Sequence, residues 1–293
     1  MERESSRKRL YPTYKDAESG PRLVHNAGTL LSGIDDEGKK PLSRDVPVLS
    51  AIVVPCYNEG VRLRVGEFDH FLDSGQRNTL VIFVDDGSRD QTLAVLEGIR
   101  RGREDRVVVL QHALNRGKAE AVRYGMNYAF HQHLPYAGFW DADLATPLSA
   151  IPSFLDLLSS RPELDMIFGA RVRLLGRLVE RSASRHYAGR VFATAASLVL
   201  GLPVYDTQCG AKLFRCTPQM RTVFAKPFLS RWIFDVEIIA RYISVMKSPD
   251  EAARRMYEFP LQMWTDVKGS KLGARDFARA AYDLFRIRRE YTW

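Results

Sequence analysis

The sequence predicts an α/β fold: a mostly parallel sheet flanked by helices and followed by amphipathic helices near the C-terminus. Three observations lead there. Short apolar runs alternate with helical patterns of about a dozen residues, the rhythm of a βαβ series. Four successive runs end in polar clusters: Tyr57-Asn58-Glu59, Asp85-Asp86, Asn115 to Lys118, and Asp141 to Asp143. Ligands of such sheets bind beyond the carboxyl ends of the strands, which is where these clusters fall.

Each element follows in order. Residues 1–45 are polar, mixed in charge and without sustained period, and read as a disordered tail; a folded domain is expected over 46–293. Val48 to Val54 reads as a buried strand ending in Pro55-Cys56-Tyr57-Asn58-Glu59-Gly60, with a helix over 61–73. Leu80 to Val84 is a second strand, and Ser88 or Asp90 is placed to cap a helix over Gln91 to Arg101. Val107 to Leu110 is a third, followed by a helix opening at Asn115-Arg116-Gly117-Lys118 and running through His131. The run Tyr136 to Trp140 is a fourth, with Pro147 marking the exit from its loop, then a helix over Leu148 to Ser159 and a fifth strand, Met166 to Phe168.

There the rhythm fails. An Arg-rich stretch precedes an amphipathic helix, Arg181 to Leu200, and a polar loop from Tyr205 to Gly210. Lys212 to Arg215 reads as a strand, 217–225 and 235–246 as helices, Met256 to Met263 with its Pro260 as an edge strand, and Ala274 to Tyr291 as a basic helix.

At 293 residues the chain can bury a full core, and its apolar and charged fractions are those of a globular protein. The net charge of +8 favours anionic partners such as nucleotides, lipid phosphates or an acidic membrane surface. Three widely spaced cysteines exclude a disulfide framework and a cysteine zinc site and fit a reducing cytoplasm. The six histidines lack metal-ligand spacing. No secretory signal is visible, and the longest apolar run, Val191 to Tyr205, is too short to span a bilayer.

Two hard oxygen donors at a strand end, Asp141 and Asp143, suit a divalent cation that must also hold a diphosphate. Glu59 and Asp86 are positioned to accept from a base or ribose, and Tyr57 offers a stacking face. Lys118 could reach a diphosphate from a helix start, although the full phosphate-loop pattern is missing. Asp206 could be a general base or orient an acceptor, and Arg171, Arg185 and Arg190 could clamp a phosphate. A solvated surface is the competing reading for Arg173 and Arg177. Arg231-Trp232 followed by Asp235 and Glu237 reads as a packed corner, and Glu237 could equally cap or orient Arg residues in the site.

Taken in order, Pro55-x-Tyr57-Asn58-Glu59, Asp85-Asp86-Gly87-Ser88, Asn115-Arg116-Gly117-Lys118 and Asp141-Ala142-Asp143 resemble the nucleotide half of glycosyltransferase family 2, of the GT-A fold. Asp206-Thr207-Gln208-Cys209-Gly210-Ala211-Lys212-Leu213-Phe214 and Arg231-Trp232-x-Phe234-Asp235-Val236-Glu237 look most like the dolichyl- or polyprenyl-phosphate β-glucosyltransferases within it. Trp264-Thr265, Gly269-Ser270-Lys271-Leu272, Asp283-Leu284 and Ile287-Arg288 complete the resemblance.

The resemblance implies an inverting transfer of glucose from UDP-glucose to a polyprenyl or dolichyl phosphate, by an enzyme lying peripherally at the cytoplasmic membrane surface, with no nucleic acid among its partners. It divides the domain into a nucleotide-binding half, 46–170, and an acceptor-binding half, 171–293. Carried over by position, Pro55, Tyr57, Glu59 and Asp86 hold the nucleoside, Asp141 the nucleotide or sugar, and Asp143 a Mg²⁺ or Mn²⁺ ion. Lys271, and from its own position Lys118, meet the diphosphate. Arg171 and Arg185, with Arg190 nearby, hold the lipid phosphate, and Asp206 matches an acidic position in the acceptor loop.

Two positions depart from relatives: Ala145 stands where some place a Gln at the metal, and Gly189 where the mannosyl branch tends to carry Ser. GDP-mannose-dependent transfer to the same lipid, transfer to a carbohydrate acceptor with Asp206 as base, and a catalytically silent nucleotide- or membrane-binding protein are the rival readings. The intact carboxylate pair and Arg171/Arg185 weigh against the last.

Overall fold

The computed structural model describes residues 49–74, 79–180, 183–265 and 274–291. The expected tail, 1–45, and Lys271 lie outside them, as do the side chains of 180, 183–186, 188 and 274–277.

A seven-stranded sheet runs in the order β3-β2-β1-β4-β7-β5-β8. Its members are β1 (Ser50–Cys56), β2 (Thr79–Asp85), β3 (Val107–Gln111), β4 (Tyr136–Trp140), β5 (Met166–Ala170), β7 (Ala211–Arg215) and β8 (Met256–Pro260). β1 pairs in parallel with β2 and β4, β2 with β3, and β5 with β8, while β7 lies antiparallel between β4 and β5. Every residue of β2 is buried, and in β1 only Pro55 is less than fully so. That is why both appear in the sequence as nearly continuous apolar runs.

Because side chains alternate across a strand, neighbouring β1 residues serve different cores. Val53 joins Val84, Met126, Phe139 and Phe234 on one face, under α3 (Lys118–His131) and α7 (Phe234–Met246). Ile52 joins Phe83, Phe68, Leu96 and Phe154 on the other, under α1 (Val65–Asp73), α2 (Thr92–Arg100) and α4 (Ile151–Ser160). The remaining helices are α5 (Ala183–Leu200), α6 (Pro218–Ala225), α8 (Pro249–Arg254) and α9 (Ala274–Glu290).

Several boundaries differ from the sequence reading. The helix expected from residue 61 starts at Val65: Arg62 and Leu63 donate their amides to the Glu59 carbonyl and form a turn first. The Arg181 to Leu200 helix is described from Ala183. Asp90, rather than Ser88, accepts the Thr92 amide at the start of α2. The single edge strand expected over Met256 to Met263 is two. β8 ends at Pro260, and β9 (Met263–Thr265) leaves the main sheet to pair with β6 (Leu178–Glu180), a strand hidden in the Arg-rich stretch. The last bond between β8 and β5 runs from the Leu261 amide to the Ala170 carbonyl, where β5 ends.

Among the described residues no helix is long and apolar enough to cross a membrane. One face of α5 nevertheless exposes Tyr187, Val191 and Leu198 at 70%, 69% and 80%, and α9 exposes Tyr282 and Phe285.

Candidate active site

The loops after β1 and β2 tie one another down. After β1, Asn58 takes a left-handed backbone (φ 53°) and its side-chain oxygen accepts the Arg89 amide at 2.9 Å. The amides of Asn58, Glu59 and Gly60 donate to Ser88 Oγ, Thr92 Oγ1 and Asp90 Oδ2. The β1 and β2 loops thus form one ledge with Tyr57 exposed on it. Burial raises the Glu59 carboxyl above its ordinary range; Arg62 opposes this, and Asp143, Asp90 and Asp141 add to it.

Asp86 does not face that ledge. It is buried, and its oxygens accept the amides of Arg116 (2.9 Å) and Gly117 (2.7 Å) and meet His112 Nδ1 at 2.7 Å. Asp86, expected at the nucleoside, also shapes the Asn115 to Lys118 loop from beneath. Gly87 makes the approach feasible. Its φ is +68°, and a Cβ there would lie 2.6 Å from the Leu114 and Asn115 backbone.

β4 delivers the two carboxylates. Trp140 is fully buried and its indole N–H donates to the Thr146 carbonyl, which curls the loop back under the strand. Asp143 accepts the Ala145 amide. Burial raises the Asp143 carboxyl, and Asp141 raises it further. Lys118 Nζ lies 2.5 Å from Asp141 Oδ1, an ion contact rather than an aligned hydrogen bond. Burial lowers the Lys118 ammonium, but Asp141 and Asp235 outweigh it and hold the group above its ordinary value. In this structure Lys118 stands against the carboxylate that local sequence left unpaired.

Gly210 sits directly behind Asp141. The Asp141 amide donates to the Gly210 carbonyl at 3.0 Å, and a Cβ on Gly210 would lie 1.9 Å from Asp141 Oδ2.

The donor set fits a divalent cation in kind. Asp141 Oδ1 meets the Lys118 ammonium, Glu59 Oε2 has Arg62 Nε at 3.6 Å, and burial with the Asp141 charge leaves Asp143 in an anionic environment that a cation would relieve. Among the described residues no three His, Cys, Asp or Glu side chains converge as a ligand set. Asp141 and Asp143 are the side chains of this loop that could hold such an ion.

Arg171 leaves the end of β5 and meets Asp206 through Nε (2.6 Å), Nη2 (2.7 Å) and its backbone amide (3.1 Å). Its guanidinium also lies over Trp264 of β9, 5.3 Å from the ring centre. Burial opposes the Arg171 charge, and Asp206 overcomes it and raises the group; Asp141 adds in the same sense. Asp206 is thus the counter-ion of Arg171 in this structure. Arg190 lies over the Tyr205 ring at 4.1 Å and donates to the Tyr205 carbonyl, one residue from Asp206. Arg185 is on α5, but its side chain lies outside the described residues. Arg177 donates to the Pro260 carbonyl.

Three groups escaped the sequence reading. Lys212, fully buried, joins the Cys209 carbonyl to Asp235 at the start of α7. Glu258 in β8 accepts the Tyr205 and Asp206 amides. Gly210 is the third. Buried charge and backbone approach have no periodic signature, so only membership in a longer motif marked two of them.

The packed corner expected at Arg231-Trp232 is present. Glu237 accepts the Leu229 and Ser230 amides and binds Arg241 and the Tyr291 hydroxyl; Asp283 of α9 accepts from Ser230 Oγ. Arg231 donates to the Arg116 carbonyl, linking this corner to the Lys118 loop. Glu237 thus orients an arginine of the scaffold rather than one of the site.

Residues 51–220 match glycosyl transferase family 2. The dolichyl-phosphate beta-glucosyltransferase of Drosophila melanogaster is 33% identical over 79% of this chain and 72% of its own length. That of Saccharomyces cerevisiae is 30% identical over 92% and 86%, and that of Homo sapiens 31% over 76% and 69%. Among solved structures, glucosyl-3-phosphoglycerate synthase from Mycobacterium tuberculosis, crystallised with Mn²⁺, UDP and its product, aligns with a TM-score of 0.57 at 14% identity, over 81% of this chain and 77% of that one. Mannosyl-3-phosphoglycerate synthase from Rubrobacter xylanophilus aligns with a TM-score of 0.53 at 17% identity, over 83% and 73%. These likenesses establish the GT-A fold.

Proposed function

The chain belongs to glycosyl transferase family 2, and from that premise we propose that it transfers glucose from UDP-glucose to dolichyl or another polyprenyl phosphate. The observation that carries the reading is the meeting of two charge systems at one sheet end. The Asp141/Asp143 pair stands at the end of β4 and the Arg171–Asp206 pair at the end of β5, and both strands run antiparallel to β7 between them, so the two pairs leave the sheet at the same end. Carboxylates suit a metal-bound diphosphate, and a rigid guanidinium suits a phosphate acceptor.

A phosphate monoester has a second pKa near ~6, so it is largely anionic at neutral pH and needs no strong base. Its oxygen attacks the anomeric carbon as the bond from that carbon to UDP breaks, and the electron pair leaves with UDP. The protein's task is in-line placement and charge compensation. Arg171, held by Asp206 and Trp264, orients the acceptor, with Arg185 and Arg190 as further cationic candidates. Tyr57, Pro55 and Glu59 border the nucleoside, and Lys118 and Lys271 serve the diphosphate. When bound, Mg²⁺ or Mn²⁺ at Asp143 and Asp141 offsets the charge gathering on the leaving diphosphate. The exposed apolar faces of α5 and α9, with Arg288 and Arg289 on the latter, suit the surface of the membrane that holds the lipid.

The pairing of Asp206 with Arg171 favours this acceptor over a carbohydrate, whose hydroxyl would need a base. The test is incubation with labelled UDP-glucose, GDP-mannose or UDP-GlcNAc, polyprenyl phosphate, and Mg²⁺ or Mn²⁺. Glucosyl lipid from UDP-glucose is expected; no labelled lipid with any donor would refute the reading.

A further inference from the structure

Glu258 takes no part in the chemistry above, yet it is placed two hydrogen bonds from the acceptor cation. It stands in β8, opposite Phe168 of β5, on the strand beside the one that ends at Arg171. Its Oε1 accepts the Tyr205 amide at 2.8 Å and the Asp206 amide at 2.7 Å, and its Oε2 accepts the Tyr205 amide at 2.9 Å. The turn it grips is the one from which Asp206 reaches Arg171 with both oxygens. Arg190 holds the same turn from the other side, over the Tyr205 ring and on its carbonyl.

A carboxylate in the middle of a strand is a poor choice for packing alone. Burial raises the Glu258 carboxyl, the two amides lower it, and the neighbouring Asp206 charge raises it again. The fold accepts an unfavourable carboxylate here, and what it obtains is two fixed backbone amides. With those amides fixed, Asp206 has one position, and Arg171 has one position against it. Partners behind a functional group commonly decide how well that group is aimed.

We propose that Glu258 is the positioning residue of the acceptor site: by gripping the Tyr205–Asp206 backbone it sets the orientation in which Arg171 receives a phosphate monoester. This rests on the proposed acceptor, and its test separates the two. Gln at 258 keeps Oε1, which alone can accept both amides; Ala keeps neither acceptor.

In Glu258→Ala, the KM for polyprenyl phosphate is expected to rise about tenfold, or ~1.4 kcal/mol, while UDP affinity by calorimetry changes by less than about twofold. Glu258→Gln is expected to restore most of the loss. A second readout needs no turnover: the Arg171 Nε–Hε resonance, assigned with Arg171→Lys, should shift and exchange faster in Glu258→Ala and stay near its wild-type position in Glu258→Gln. Wild-type protein that forms no glucosyl lipid would overturn the acceptor assignment. An unmoved Arg171 resonance in Glu258→Ala, or equal loss of UDP and acceptor binding, would overturn the role of Glu258.

Discussion

Arg171 and Asp206 are separated by 35 residues and meet in a two-pronged ion pair, Nε to Oδ2 at 2.6 Å and Nη2 to Oδ1 at 2.7 Å. Buried pairs are weak sources of net stability, but removing one partner strands the other charge at a cost of about 3–5 kcal/mol. The pair therefore acts as a fixed clamp. In Asp206→Asn the shape survives and the charge does not. The KM for the lipid phosphate should rise about tenfold and kcat should fall less. A collapsed kcat at unchanged KM would instead identify Asp206 as a base.

Asp143 lies under a different constraint. Its folded pKa is raised by burial and by Asp141. A carboxyl raised above its unfolded value weakens the fold above the folded pKa, and that penalty disappears as pH falls through it. Asp143→Asn should thus raise the melting temperature of the metal-free protein by a few degrees near neutral pH, with the gain shrinking as the solution is acidified. The same variant should lose transfer. Thermal scans across pH with and without Mn²⁺ check both; a gain that grows on acidification would reverse the sign.

Gly210 leaves no room for a side chain. A Cβ would fall 1.9 Å from Asp141 Oδ2, so the carboxylate would have to move. Gly210→Ala should reduce UDP affinity in the presence of Mn²⁺ by about tenfold or more. Titration calorimetry on the folded variant reads this directly, and unaltered affinity would separate Asp141 from donor binding.

Asp86 holds two backbone amides and His112. An amide left unpaired in a buried setting costs about 1–3 kcal/mol. Asp86→Ala should therefore lower unfolding free energy by about that range, with UDP affinity lost through the displaced Lys118 loop. Denaturant melts showing no loss would mean the loop finds other partners.

Tyr187, Val191 and Leu198 share one exposed face of α5. Burying one such aliphatic side chain contributes about 1.5–3 kcal/mol. A Val191→Asp, Leu198→Asp double variant should lose at least about tenfold in binding to anionic vesicles while keeping UDP affinity. Undiminished vesicle binding would move the membrane contact elsewhere.

Much of the scaffold was legible because burial on both faces writes an unmistakable pattern. β1 and β2 are near-continuous apolar runs, and each ends where a polar cluster begins. The carboxylate pair was legible for the same reason: Trp140 closes an apolar run and Asp141 follows. The roles inside the site were less so. Asp86 and Tyr57 look equally exposed in one dimension, yet one is buried against the β3 loop and the other stands in solvent. Lys118 and Asp141, or Glu258 and Asp206, become neighbours only through strand order, which local spacing does not contain. β6 was missed because three residues are too few to show a period.

That strand order has a consequence for synthesis. β5 pairs with β7 and β8 only, both of which follow it in the chain. A nascent chain ending at residue 170 holds the loops after β1 to β4 but no partner for β5, and the edge of β4 that β7 will cover is still open. Release from the ribosome at that stage would present unpaired strand edges to other chains. The carboxylate loop matures late: Asp141 acquires the Gly210 carbonyl only when β7 has folded in beside β4.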